Sequence, residues 1–165
     1  MLTSDGLTQA QFLPLWRDAM FGAEPHERAR LTLELGRALI REEQRTPTLL
    51  VAVVEGREDP LVMMPLAEPP VRTQQRLREG VTMRLATLGA SEVYVLLAVR
   101  GGGASGVPSA LLACWGERIG GAEVCVMMPF RYGREGLEEA EVLLAPDASA
   151  TSFSRELSGL LGVRH

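Results

Sequence analysis

Pro108-Ser109-Ala110-Leu111-Leu112-Ala113-Cys114-Trp115-Gly116-Glu117-Arg118-Ile119-Gly120-Gly121 reads in two ways, and the choice sets the fold class and the function that comes with it. As a helix, Pro108 takes the first position, Gly120 the C-terminal cap, and Leu111, Leu112, Trp115 and Ile119 share one side. The chain is then α/β, with a helix at 108–119. As a strand, Leu112 to Glu117 pairs with Val124 to Met128 around a turn at Gly120 and Gly121. An internal echo favours the strand. Leu49-Leu50 followed by Val62-Met63-Met64-Pro65-Leu66 reappears as Leu111-Leu112 followed by Val126-Met127-Met128-Pro129-Phe130, with a charged turn between the two runs each time.

Upstream, Leu49 to Val54 and Leu61 to Leu66 flank Glu55-Gly56-Arg57-Glu58-Asp59-Pro60, the pattern of a hairpin with a polar turn. Before it lie two amphipathic helices at about 8–46. Thr8 and Gln11 have capping-box spacing, with Leu7 and Phe12 placed as a hydrophobic staple, although Pro14 offers itself as an alternative first position. The first helix ends near Gly22. The second opens at Pro25 and runs through Leu31, Leu35, Leu39 and Ile40 to Thr46, before Pro47. After Pro69 and Pro70 a third helix, Val71 to Leu88, carries Leu77, Val81, Leu85 and Leu88 and stops at Gly89. Val93 to Val99 is a short apolar run of strand composition. A last strand, Ala140 to Ala145, precedes Pro146 and a C-terminal helix from Ser149 or Thr151 to Leu161.

These elements predict one α+β domain over residues 1–165, in the order ααββαββββα. The sheet has about six strands, mixed or mainly antiparallel, with helices packed on it. The order is similar to that of roadblock and longin-like sheet domains, a likeness of element order that implies dimers acting as adaptors. Valine, leucine and methionine at both faces of the strands require cover on both sides. If the helices cover one face only, a second copy is the economical cover for the other.

The composition excludes several chemistries. The chain has no lysine and no asparagine, and its seventeen positive charges are all arginine, a pattern expected of a GC-rich, bacterial genome. A phosphate loop of the G-x-x-x-x-G-K-[ST] type, a Schiff-base amine and a kinase nucleotide lysine each need the missing lysine. A net charge of −4 and 5% aromatic residues make nucleic acid an unsuitable partner. The longest apolar runs, such as Val93 to Val99, fall far short of a membrane span, and the first residues have no signal-peptide pattern, so a cytoplasmic protein is expected. Cys114 and Cys125 lie in apolar stretches and are expected to be reduced.

One loop offers a ligand site. Gly101-Gly102-Gly103-Ala104-Ser105-Gly106 satisfies G-x-G-x-x-G directly after a strand, where small residues let backbone amides approach a pyrophosphate. On this reading Gly101, Gly103 and Gly106 hold an NADP-like cofactor, with Arg131 and Arg134 suited to its 2′-phosphate. The site also needs a helix beginning after the loop, which only the helical reading of 108–119 supplies; otherwise the glycines join two strands. Ser105 lacks the G-x-S-x-G arrangement. His26, with Glu24 and Glu27, marks a helix start without metal-ligand spacing, and His165 is terminal. Arg72, Arg76, Arg78 and Arg84 on the third helix, and Glu138, Glu139 and Glu141 near the last strand, read as solvated surface. Met63, Met64, Met127 and Met128 fill core gaps or line an adaptable binding face.

No catalytic or metal-binding residues are therefore assigned, and no cofactor. The expected function is a non-enzymatic interaction or regulatory, adaptor-like domain that forms a homodimer through its sheet or N-terminal helices, with room for a further protein partner. The competing expectation is a small NADP- or nucleotide-binding enzyme built on the glycine loop.

Overall fold

The computed structural model describes residues 1–43, 48–65, 74–101, 109–120, 123–133, 136–139, 143–144 and 160–161. Its class is α+β. Helices α1 (Gln9–Phe21) and α2 (Pro25–Glu43) precede strands β1 (Leu49–Val53) and β2 (Leu61–Pro65). Helix α3 (Gln74–Leu88) then leads to β3 (Glu92–Gly101), β4 (Ser109–Arg118), β5 (Val124–Gly133), β6 (Gly136–Glu139) and β7 (Leu143–Leu144). Residues 44–46 and 71–73 of the expected second and third helices lie outside the described residues, as does the expected C-terminal helix up to residue 159; its last two residues, Leu160 and Leu161, are described as a turn.

Local chemistry sets the element ends. Thr8 caps α1 through the full capping box, its hydroxyl accepting from the Gln11 amide while the Gln11 side chain accepts from the Thr8 amide. Pro14 sits inside this helix, so the cap rather than the proline marks its start. Gly56, Gly89 and Gly120 each take a positive φ, at the β1–β2 turn, the end of α3 and the β4–β5 turn, where a side chain would be strained.

The helical reading of 108–119 is overturned. Ser109–Arg118 is β4, antiparallel to both β3 and β5. Burial explains why. Leu112 and Cys114 point into one core and Trp115 into the other, a period of two that no single helix face can satisfy. Gly116 is also better suited to the strand, because its missing side chain makes room for the Tyr94 ring on β3.

All described strand pairs are antiparallel, and the sheet runs β2-β1-β3-β4-β5-β6, with β7 pairing on β5 beside β6. The acidic run at 138–139, expected as a turn and strand edge, forms the end of β6. The two echoing hairpins have the same register: Leu49 opposes Pro65 and Leu50 opposes Met64, as Leu111 opposes Pro129 and Leu112 opposes Met128. They flank β3 on opposite sides while β1 and β4 travel in the same direction. Equivalent residues consequently turn to opposite faces, Leu50 and Met64 into one core, Leu112 and Met128 into the other.

Both faces are covered. Phe12, Trp16 and Met20 of α1, with Leu31, Leu33, Leu35 and Ile40 of α2, pack on Leu49, Val51, Tyr94, Leu96, Leu112, Cys114 and Met128. On the other face Leu85 of α3, Ala90, Leu160 and Leu161 pack on Leu50, Ala52, Val93, Val95 and Trp115. The condition under which a second copy was the economical cover, helices on one face only, is therefore not met, and the argument from an open face falls. Gly36 brings α2 close to the sheet; a Cβ there would lie 2.7 Å from Leu96 Cδ2 and 3.1 Å from Leu112 Cδ2.

Candidate functional site

Helix α2 carries two kinds of face. Its apolar residues go to the sheet, and Glu27, Arg30, Glu34, Arg37 and Arg41 recur at spacings of three and four along another stripe. The N-terminal segment lies along that stripe. Glu34, almost fully buried, accepts from the Ser4 amide and hydroxyl, both at 3.0 Å, and from Arg37 Nη1 at 2.7 Å. Arg30 donates to the Leu2 carbonyl at 2.9 Å, and Arg41 pairs with Asp5 at 2.9 Å. Hydrogen bonding to Arg41 and the field of Arg37 and Arg41 hold the Asp5 carboxyl below its ordinary range. The Glu27 carboxyl is lowered in the same way by Arg30.

A second cluster joins helices to sheet. Arg28, in the first turn of α2, donates through Nε to the Met20 carbonyl at the end of α1 (2.9 Å) and through Nη1 to Glu92 at the start of β3 (2.7 Å). The same Glu92 oxygen accepts the Tyr94 hydroxyl at 2.6 Å, and Arg118 Nε stands 3.6 Å from its other oxygen. Burial and the neighbouring carboxylate push the Tyr94 phenol far above its ordinary pKa, so it remains a neutral donor. Buried charges persist when paired and hydrogen-bonded. Each member here is turned on another member, which suits them to fixing how the helices dock on the sheet.

The pattern of apolar residues gave no warning of either cluster. Glu34 interrupts an otherwise apolar run on α2, and Glu92 opens an apolar strand; a carboxylate inside an apolar run is the signal that marks such positions. The partner arginines cannot be read the same way, since Arg28 and Glu92 stand 64 residues apart.

The residues of the glycine-loop reading are partly located. Gly101 ends β3 opposite Ser109, and Arg131 lies on β5 opposite Glu138 of β6. Both stand at one end of the sheet, two strands apart, or about 10 Å. Gly103, Gly106 and Arg134 lie outside the described residues, as do Ser105 and His165. The loop leads into strand β4, so no helix begins at Ser109 to direct its amides at a phosphate. His26 is exposed in the first turn of α2, Glu27 beside it is engaged by Arg30, and Cys114 is buried in the core between α2 and the sheet. Among the described residues no group of three His, Cys, Asp or Glu gathers as a metal site, and no helix is long and apolar enough to cross a membrane. Compared with known protein families, curated proteins and solved structures, the chain matches none.

Proposed function

We propose that the chain is a non-enzymatic interaction or regulatory domain, adaptor-like in role, that acts as a homo-oligomer, most simply a homodimer in the cytoplasm. The observation that carries this reading over a nucleotide-binding enzyme is β4. With Ser109–Arg118 as a strand, Gly101 ends β3 opposite Ser109, and the glycine-rich sequence between them joins two antiparallel neighbours. Glycine-rich connections of that kind need no ligand. The buried ionisable groups support the same reading, since Glu34 and Glu92 are consumed by arginines and hydroxyls of the chain itself.

Thermal melting tests it on both sides. A ligand at about 100 times its dissociation constant adds about 2.7 kcal/mol to the native state, so a panel of NADP, NAD, ATP and GTP should leave the melting temperature in place. A homo-oligomer melts at a temperature that rises with protein concentration. A shift with any nucleotide, or a melting temperature independent of concentration, contradicts the reading.

A further inference from the structure

The first residues of the chain are held to the fold by a different kind of contact from the rest. Residues 1–7 enter no helix or strand, and among the described residues their backbone-to-backbone bonding is local, Leu7 donating to the Ser4 carbonyl at 3.1 Å. Their long-range hydrogen bonds run instead to side chains of α2. Glu34 accepts from the amide and the hydroxyl of Ser4, each at 3.0 Å. Arg41 donates through Nη1 to the carbonyl and hydroxyl of the same serine, both at 3.2 Å, and through Nη2 to the Asp5 carboxylate at 2.9 Å. Arg37 reaches that carboxylate at 3.3 Å, and Arg30 takes the Leu2 carbonyl at 2.9 Å. Taken together, these groups read one short peptide: a carboxylate for an amide and a hydroxyl, arginines for carbonyls and an acid, and core contact for the apolar Leu2.

Three features let this segment lift while α2 stays in place. Glu34 is 2% exposed, yet it keeps Arg37 at 2.7 Å and 2.9 Å when the serine leaves, so no buried carboxylate is left unpaired. The Asp5 side chain is 63% exposed, so its ion pairs are individually weak and screened by salt. Gly6 has a φ of +74° with open space where a Cβ would lie, and it stands between the segment and Leu7, which packs on the core. That glycine is a hinge placed at the boundary.

We propose that residues 2–5 are a strap seated in a peptide-binding site on α2, and that a partner protein enters this site with a segment of the same chemistry: an apolar residue two places before a serine that an acidic residue follows. This rests on the interaction-domain reading and names the partner's chemistry. The strap is the site's own template. As a tethered competitor it acts at an effective concentration of the order of millimolar, so the open site is a minor state until the strap is weakened or a partner is abundant.

The probe is a labelled peptide with the sequence of residues 1–8, added to the full chain. Wild type should bind it about tenfold or more weakly than Ser4→Ala/Asp5→Ala, in which the strap loses its grip and α2 is unchanged. The same peptide carrying both alanines should bind neither protein. In wild type the Ser4 amide should exchange with solvent well before the amides of the central strand β3, and faster as salt is raised. Equal affinity for the two proteins, no binding to the folded variant, or a Ser4 amide that exchanges only with β3 would overturn the strap. A double variant that fails to fold would overturn it too, since the segment then belongs to the core instead of lying over it. A wild-type dimer that the double variant loses would seat a second copy's strap in the site and overturn its assignment to a separate partner. A melting temperature raised by a nucleotide would instead remove the interaction reading itself, whatever the peptide does.

Discussion

Replacing Gly116 by alanine makes the most demanding test of the packing, because two effects of opposite sign compete. At an unhindered strand position, removing glycine's freedom in the unfolded chain stabilises by about 0.5–1 kcal/mol. Here the new Cβ would lie 2.6 Å and 2.7 Å from Cε1 and Cδ1 of Tyr94 and 3.3 Å from Val124 Cγ1. The ring cannot swing away cheaply. Tyr94 is buried, and its hydroxyl is held by Glu92, which is held in turn by Arg28. Overpacking a closed site costs about 1–3 kcal/mol. Displacing the ring forfeits a hydrogen bond to a charged group, about 1.5–3 kcal/mol more. The net expectation is a loss of about 2–5 kcal/mol, which for a chain of this size lowers the melting temperature by about 5–15 °C. Urea unfolding of Gly116→Ala, Tyr94→Phe and the double variant measures both the loss and the coupling between the sites. The double variant should lose at least about 1 kcal/mol less than the sum of the singles, as expected for residues in contact. A Gly116→Ala protein as stable as wild type, or strictly additive losses, would refute the account of how β3 and β4 pack.

The polar clusters and the α1 cap lead to four further outcomes. Glu92→Gln leaves Arg28 without its carboxylate, and breaking a buried pair from one side costs about 3–5 kcal/mol, read as a lower urea midpoint at unchanged slope. Tyr94 has a raised folded-state pKa, so its contribution is complete below the ordinary phenol value and is lost as pH climbs above it; absorbance titration should show its ionisation coupled to alkaline unfolding. The Asp5 and Glu27 carboxyls are shifted the other way, so what they contribute is present above the ordinary carboxylate range and lost on acidification through their lower folded values. A carbon-detected NMR titration giving an Asp5 midpoint at or above the ordinary value contradicts the docking of the N-terminal segment on α2. Thr8→Ala removes the α1 cap and should cost about 1 kcal/mol in the same urea assay.

Much of the local structure was legible because it is written in short-range chemistry. The Thr8–Gln11 box, Pro25 opening α2 and Gly89 closing α3 each act within a turn of the residues they organise. The repeated Leu-Leu and Val-Met-Met-Pro runs were legible for a different reason: a hairpin register depends on the spacing between its arms, and both hairpins place the second leucine opposite the second methionine. What the sequence hid was long-range. The cover on the second face depends on Leu85, Ala90, Leu160 and Leu161 converging from distant parts of the chain. The clamp of Arg28 on Glu92 and Met20 depends on the docking angle of α2, which no periodicity encodes. Strand lengths were also underread. β3 reaches Gly101 along β4, and β5 reaches Gly133 along the short β6, each through an arginine, because ladder bonds to a neighbouring strand sustain residues whose side chains alone would not suggest a strand.

The reading of this chain as a self-associating module stands or falls on its mass in solution. Sedimentation equilibrium over a wide concentration range should show the apparent mass climbing from 17.9 kDa when dilute towards twice that value when concentrated, with one dissociation constant fitting every loading. A mass fixed at 17.9 kDa at the highest concentration would contradict it.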